Sequence, residues 1–156
     1  MSGAQGLPLT VQWAIFDLAK HPVPTFVKGR VALMGDAAHA TSPHHGAGAG
    51  FCIEDAAVMA TILASDAIQT PAHLEAAFAA YNDARLERGH WLVQSSRRVG
   101  DLYDWRAEGP GSDMKKIQEE LEQRNRVIFE ADVPRMCALA AEDARKRVQG
   151  VLKSAL

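Results

Sequence analysis

Apolar and polar residues follow two different patterns along this 156-residue chain. Two short apolar runs, Val11 to Phe16 and Arg30 to Met34, contain β-branched or aromatic side chains and predict strands. From Ile53 onward, apolar residues recur at helical spacing instead. The pattern therefore predicts two strands followed only by helices.

The helices after the first have recognisable boundaries. Pro71 is acceptable in the first turn of a long second helix. The glycine- and proline-containing run from Gly109 to Asp113 breaks the chain before a third helix, Ile117 to Ala131. Asp132 is expected to cap a last helix that ends near Val151.

The predicted fold class is α+β and mostly α, with two short strands leading into a glycine-rich loop and three or four helices. Two isolated strands do not form a stable sheet, so we expect their hydrogen-bonding partners to lie in a second copy or in sequence not present here. Arg85 and Arg88 lie on the apolar stripe of the long helix. We expect them to pair with carboxylates or to extend toward solvent.

Composition narrows the function classes. The hydrophobic content is 47% and the net charge is -2, which suits one compact domain or a piece of a larger one. No basic block predicts a nucleic-acid partner, and no uncharged apolar run approaches the ~20 residues of a membrane span. Cys52 and Cys137 lack CxxC spacing, and no secretory signal is recognisable. These features predict a cytoplasmic protein with reduced thiols.

The segment from Gly35 to Gly50 carries the candidate chemistry. Its glycines predict a loop that feeds a helix start, where free backbone N–H groups bind anions or polarised carbonyl oxygens. Asp36 can accept hydrogen bonds from polyol hydroxyls, and Pro43 offers a rigid surface without a donor. The combination suits a cofactor with a polyol and a flat ring. A nucleoside triphosphate is disfavoured because GxxxxGK[ST] is absent.

Two other kinds of site are disfavoured for this loop. A metal site is not predicted, because the candidate ligands come from one short stretch without companions at a recognisable spacing. Among them, His39 is interpreted as structural and His45 is left open. Ser42 has no GxSxG setting, which disfavours a hydrolase.

The run Gly29 to Ala40, followed by Pro43 to Gly50 and then Glu54-Asp55-Ala56, resembles the second flavin motif of group A flavoprotein monooxygenases. Salicylate hydroxylase-like enzymes are the most similar in these residues. The resemblance covers most of this chain. It corresponds to only about the last third of a family enzyme. It implies the flavoprotein hydroxylase fold, with residues 1–70 as a remnant of the FAD-binding domain and 71–156 as a carboxy-terminal helical region.

The resemblance also implies roles. Asp36 would bind the ribityl chain of FAD, and Pro43 would lie beside the flavin ring. His44 would lie close to the substrate, a phenol or aromatic acid, and assist its deprotonation. NAD(P)H would be the reductant. The implied cofactor-binding residues are Gly35, Asp36, Pro43, Gly46, Ala47, Gly48 and Ala49.

Features of the family's amino-terminal half are missing from this sequence. There is no GxGxxG on a βαβ unit to hold the ADP half of FAD. We therefore expect a carboxy-terminal fragment that binds FAD weakly or not at all by itself and is inactive without an amino-terminal half. The alternative is a non-catalytic partner of a flavoprotein, or a homo-oligomer formed through the helices.

Overall fold

A computed structural model describes residues 14–154. Its first regular element is a small hairpin of β1 (Val27–Lys28) and β2 (Val31–Ala32), paired antiparallel with Val27 opposite Ala32. Gly29 has φ +57° at the first position of the two-residue turn, a conformation that glycine adopts without strain. Phe26 and Leu33 extend the hairpin by one backbone hydrogen bond of 2.7 Å.

The hairpin corrects two expectations. Within the predicted strand Val11 to Phe16, residues 11–13 lie outside the described residues, and 14–16 have no regular secondary structure. In the second predicted strand, only Val31–Ala32 is extended and paired. Its partner is β1, which had not been predicted, so the expectation that this strand pairs outside the sequence was wrong. The fold class, mostly helical with two short strands, is confirmed.

Five α-helices follow the hairpin in chain order. The first is short, and a 3-10 helix, Pro43–His45, separates it from the second. The α-helices are α1 (Asp36–His39), α2 (Gly48–Leu63), α3 (Pro71–Tyr103), α4 (Met114–Phe129) and α5 (Val133–Ser154). The predicted starts at Pro71 and Asp132 are confirmed, the latter by Asp132 Oδ1 accepting from Arg135 N at 2.9 Å.

The core lies where α2, α3 and α5 meet. Small residues such as Ala77 and Ala140 are buried between α3 and α5, which lets the two helices approach closely. Val58 and Ile62 of α2 fill the remaining space, and Phe26 closes the end beside the hairpin. α4 stands apart and packs on a second, smaller cluster at the end of α3.

This packing fixes the glycine-rich segment against the long helix. The chain runs from β2 through α1 and the 3-10 helix into α2, and each of these three helices contacts α3. The division of the chain at residue 70 stays a prediction. Within the described part of the chain, no helix combines the length and apolar character needed to cross a bilayer.

Candidate functional site

An open groove of about 510 Å³ lies between α1, the 3-10 helix and the start of α2. Its volume is in the range of small-molecule sites. Both glycines and side chains form its walls. The lining residues are Asp36, Thr41, Ser42, Pro43, Gly46, Gly48, Ala49, Cys52 and Ile53.

The start of α2 opens onto this groove without a capping side chain. The cap residue is Ala47, which accepts nothing through its side chain, whereas Thr70 and Asp113 accept backbone N–H groups at the starts of α3 and α4. The first N–H groups of a helix have no intrahelical acceptor. At Gly48 and Ala49 these donors therefore remain available, with the positive end of the helix dipole behind them.

Asp36 supplies the acceptor on the opposite wall. Asp36 is exposed, and its carboxylate makes no hydrogen bond or ion pair to any residue between 14 and 154. The preceding Gly35 is buried at φ +58°. A Cβ there would also lie 2.9 Å from Cys52 Sγ, so only glycine fits this turn.

A buried ion network lies beneath the groove, on the side of α2 that faces α3. Arg85 donates from Nε to Asp55 at 2.7 Å and from Nη1 to Glu54 at 2.6 Å. Arg88 contacts both Glu54 oxygens at 2.7 Å and lies 4.4 Å from the centre of the Phe51 ring. The prediction that the two arginines pair with carboxylates is confirmed.

Asp55 joins this network to the loop. Its Oδ2 accepts from Gly35 N at 2.8 Å and from His39 Nε2 at 2.7 Å. Burial raises the pKa of the Asp55 carboxyl, but the bonds from His39, Gly35 and Arg85 outweigh it and hold that pKa below its usual value. The pKa of Glu54 is lowered too, because its two arginine partners outweigh the effect of burial.

His39 has the structural role expected of it. It packs between Phe26 and Phe51, with ring centroids 6.0 and 6.3 Å away. Since Asp55 is an anion, Nε2 of His39 carries the proton and donates it. Nδ1 is buried with no hydrogen-bond partner among residues 14–154. A bare lone pair there costs less than a buried N–H without an acceptor, so the geometry places the donated proton on Nε2.

His44 lies across the loop from the groove. It is half-buried in a separate polar cavity of about 360 Å³ that also contains Arg97 and Asp101. Its Nδ1 is 2.9 Å from Ser42 Oγ. A Cβ on Gly100 would lie 2.6 Å from the His44 ring, which shows how closely the imidazole rests on α3.

Ser42 connects the two cavities. It is buried and lines both of them. Ser96 Oγ donates to the Ser42 carbonyl at 2.5 Å and accepts from Ser42 Oγ at 3.3 Å. Ser42 Oγ also lies within hydrogen-bond distance of His44 Nδ1, so one side chain separates the imidazole from the groove.

His45 holds the loop to α3 and α4. Its Nε2 lies 2.9 Å from Ser95 Oγ, which also accepts from Arg124 at 2.9 Å, and its ring stacks on Trp91 at 6.1 Å. Burial and the nearby Arg124 lower the pKa of His45. Neutral His45 thus accepts a hydrogen bond from the Ser95 hydroxyl and anchors the loop.

The structure brings most of the predicted cofactor residues together. Asp36, Pro43, Gly46, Gly48 and Ala49 line one groove. The other two predicted positions shape it from behind: Gly35 forms the buried turn, and Ala47 is the cap residue of α2.

Sequence reasoning missed Thr41, Ser42, Cys52 and Ile53 as lining residues. The last two could have been found from helical spacing, because they follow Ala49 by three and four residues. In residues 14–154, no group of three or more His, Cys, Asp or Glu side chains is arranged to hold a metal ion.

Comparison with known proteins gives consistent matches. Residues 2–96 match the family described as FAD binding domain. The chain is 47% identical over 142 residues to the FAD-dependent monooxygenase SAT7 of Stachybotrys chartarum, covering 91% of this chain and 29% of that protein. It is 49% identical over 151 residues to the FAD-dependent monooxygenase pigN of Monascus ruber, covering 92% and 35% respectively.

A solved structure agrees with these matches. The salicylate hydroxylase substrate complex superposes with a TM-score of 0.72 at 41% identity, covering 76% of this chain and 29% of that chain. The chain spans about a third of the length of the curated relatives it matches.

Proposed function

Because this chain belongs to the FAD binding domain family, we propose that it holds the flavin end of FAD for an NAD(P)H-dependent hydroxylation of a phenol or aromatic acid. Two curated relatives are FAD-dependent monooxygenases, and the similar solved structure is a salicylate hydroxylase with substrate. The observation that carries the proposal is the groove. There, the uncapped start of α2 faces the same cavity as Asp36, whose carboxylate has no partner among residues 14–154.

The residues of the groove fit the flavin end of the cofactor. The Asp36 carboxylate accepts hydrogen bonds from ribityl hydroxyls. The N–H groups of Gly48 and Ala49 would donate to ring carbonyl oxygens and would favour negative charge at that end of the ring. Pro43 adds a rigid apolar surface beside the ring. When bound, the flavin supplies electron transfer from NAD(P)H and the activation of O2.

In this proposal His44 takes up the phenol proton by way of Ser42: the Ser42 hydroxyl turns from Ser96 toward His44 Nδ1, gives its proton to that nitrogen and takes the proton of the phenol. The support is geometric: Ser42 Oγ is 2.9 Å from His44 Nδ1, and the Ser42 residue lines the groove while His44 does not. An imidazole has a pKa suited to accepting such a proton near neutral pH.

A ligand comparison tests which end of FAD the chain holds. Amide shifts of the 15N-labelled chain should be followed by NMR during titration with FAD, FMN or ADP. We expect FAD and FMN to bind with similar affinities, weaker than micromolar, since both carry the flavin and ribityl groups. ADP should produce no shift, because the sequence has no GxGxxG. Equal binding of ADP and FAD, or no response to either flavin, would contradict the proposal.

A non-catalytic partner subunit is the second candidate. Large apolar side chains on the outer helices favour it, since Phe129 of α4 is 79% exposed and Leu139 of α5 is 55% exposed. Gel filtration with absorbance detection separates the two candidates. With FAD in the running buffer, a compact species that elutes with flavin absorbance above that of the buffer supports the flavin-holding role, and an oligomer that carries no flavin supports the partner subunit.

A further inference from the structure

The carboxylate of Asp55 lies directly behind the turn that presents Asp36 to the groove. We infer that Asp55 is a positioning residue for the cofactor, one that sets the direction of the Asp36 side chain. Asp55 is fully buried and does not line the groove, so it cannot touch a ligand there. The inference rests on the proposed function of the groove.

The turn at Gly35 needs an external anchor. Its backbone has φ +58° and ψ -140°, and a glycine has no side chain to restrict rotation about these bonds. The Gly35 carbonyl accepts from Ala38 N and His39 N at 2.9 Å. These bonds fix the carbonyl end of Gly35 against α1. The Gly35 N–H is held by Asp55 at 2.8 Å. Release of that N–H frees the turn immediately before Asp36.

Asp55 is itself held in place from two other directions. His39 Nε2 approaches Oδ2, and Arg85 Nε approaches Oδ1, both at 2.7 Å. The carboxylate thus collects donors from the turn, from α1 and from α3. The position of Asp36 depends in this way on a charge network that no ligand contacts.

Asparagine at position 55 keeps the size of the side chain but breaks this arrangement. All three partners are donors, whereas an amide offers one oxygen and one NH2 group. The charged Arg85 takes the amide oxygen as the stronger donor, so the NH2 group faces the N–H groups of Gly35 and His39. The Asp55→Asn variant should therefore loosen the turn while the separate pair between Arg88 and Glu54 remains.

A double-mutant cycle on FAD affinity tests the inference. The wild-type chain, Asp36→Ala, Asp55→Asn and the double variant are titrated with FAD and followed by NMR shifts. Each single change should weaken binding by about tenfold, the loss of one charge-assisted hydrogen bond. Because Asp55 acts through Asp36, the double variant should bind about as weakly as Asp36→Ala alone.

Asp17→Asn is the matched control, because Asp17 is another buried carboxylate paired with an arginine, Arg97, away from the groove. It should leave FAD affinity unchanged. Three results overturn the inference: additive losses of about a hundredfold in the double variant, unchanged affinity in Asp55→Asn, or an equal loss in Asp17→Asn. If the wild-type chain shows no shift with FAD, the proposed function is contradicted. The inference about Asp55 is then overturned as well, because it rests on that function.

Amide exchange in the unmodified chain gives a readout that needs neither a variant nor a ligand. Gly35 N–H bonded to a buried carboxylate should exchange with solvent as slowly as the amides in the middle of α2. Exchange at the rate of an open loop would show that Asp55 does not hold the turn and would overturn the inference. This measurement decides the matter should Asp55→Asn fail to fold.

Discussion

The two faces of α2 differ in how their polar groups are satisfied. On the face toward α3, the carboxylates of Glu54 and Asp55 pair with the Arg85 guanidinium at 2.6–2.7 Å. On the face toward the groove, the helix starts without a capping side chain, and Asp36 nearby has no partner among residues 14–154. Polar groups satisfied within the protein hold the loop in shape, and those left open are available to a ligand.

Helical periodicity lets one helix serve both purposes. Ala49, Cys52 and Ile53 share the groove face of α2. Asp55 and Val58 lie on the opposite, buried face. Spacings of three and four residues keep each set together on its own face. The distinction between the faces can be tested by changing one at a time.

The largest loss of stability is expected from Arg85→Ala. The substitution leaves the buried Asp55 carboxylate without its arginine and removes one of the two arginines that pair with Glu54, and such broken buried pairs cost about 3–5 kcal/mol. The free energy of unfolding, measured by urea denaturation, should fall by that amount. Arg98→Ala is the matched control, because its partner Glu120 is partly exposed and the pair should contribute about 1 kcal/mol or less. Equal losses in the two variants would show that the buried network contributes no more to the free energy of unfolding than the partly exposed pair.

Acid should weaken the same network reversibly. The pKa values of Glu54 and Asp55 are lowered in the folded chain, so the unfolded chain takes up protons first as the pH falls. The contribution of both groups is fully present above their unfolded pKa values of about 4 and is lost below them, as pH falls through the folded values. The loss should be smaller than for Arg85→Ala, since a protonated carboxyl still forms hydrogen bonds.

Denaturation at a series of pH values between neutrality and acid measures this effect. Asp55→Asn should show a shallower decline than the wild-type chain, because one of the two titrating carboxyls is gone. Identical slopes would contradict the assignment of Asp55 as an ionised member of the network.

Gly100→Ala should have an intermediate effect. The new methyl group would lie 2.6 Å from His44, so the imidazole must move away from α3, at a cost of about 1–3 kcal/mol. Gly150→Ala provides the control within a helix, since nothing lies within 4 Å of its Cβ position. It should stabilise the chain by up to about 1 kcal/mol. Thermal denaturation compares the two, and a gain in both variants would show that His44 is not packed against Gly100.

The smallest effect on stability is expected from Asp36→Ala. Its carboxylate has no partner in the described chain, so the free energy of unfolding should change by no more than about 0.5 kcal/mol. Urea denaturation checks this value. A loss above 1 kcal/mol would show that the Asp36 carboxylate stabilises the fold and is not left open for a ligand.

Local signals in the sequence predicted the parts of the fold that depend on them. The proline at position 71 and the cap at Asp132 mark helix starts by their own chemistry, and both are confirmed. The hairpin was missed because a Gly-Arg turn between two-residue strands gives too short an apolar pattern to detect. The pairing of Val27 with Ala32 defines the turn at Gly29, and that pairing leaves no mark in the apolar pattern.

The candidate site was predictable in its residues but less so in its arrangement. The glycines and Asp36 indicate a cofactor loop because backbone freedom and an acceptor are properties of the residues themselves. The orientation of a side chain depends on packing between distant segments. His44 turns away from the groove because Gly100, fifty-six positions later, leaves space for its ring.

The location of flavin contacts on the chain is the most direct test of the distinction between the two faces. With FMN added to the 15N-labelled chain, we predict the largest amide shifts at Asp36, Gly46, Gly48 and Ala49, with little change at Ser95 on α3. Shifts concentrated around Ser95 and the cavity of His44, or spread evenly over the chain, would contradict the assignment of the groove as the flavin site.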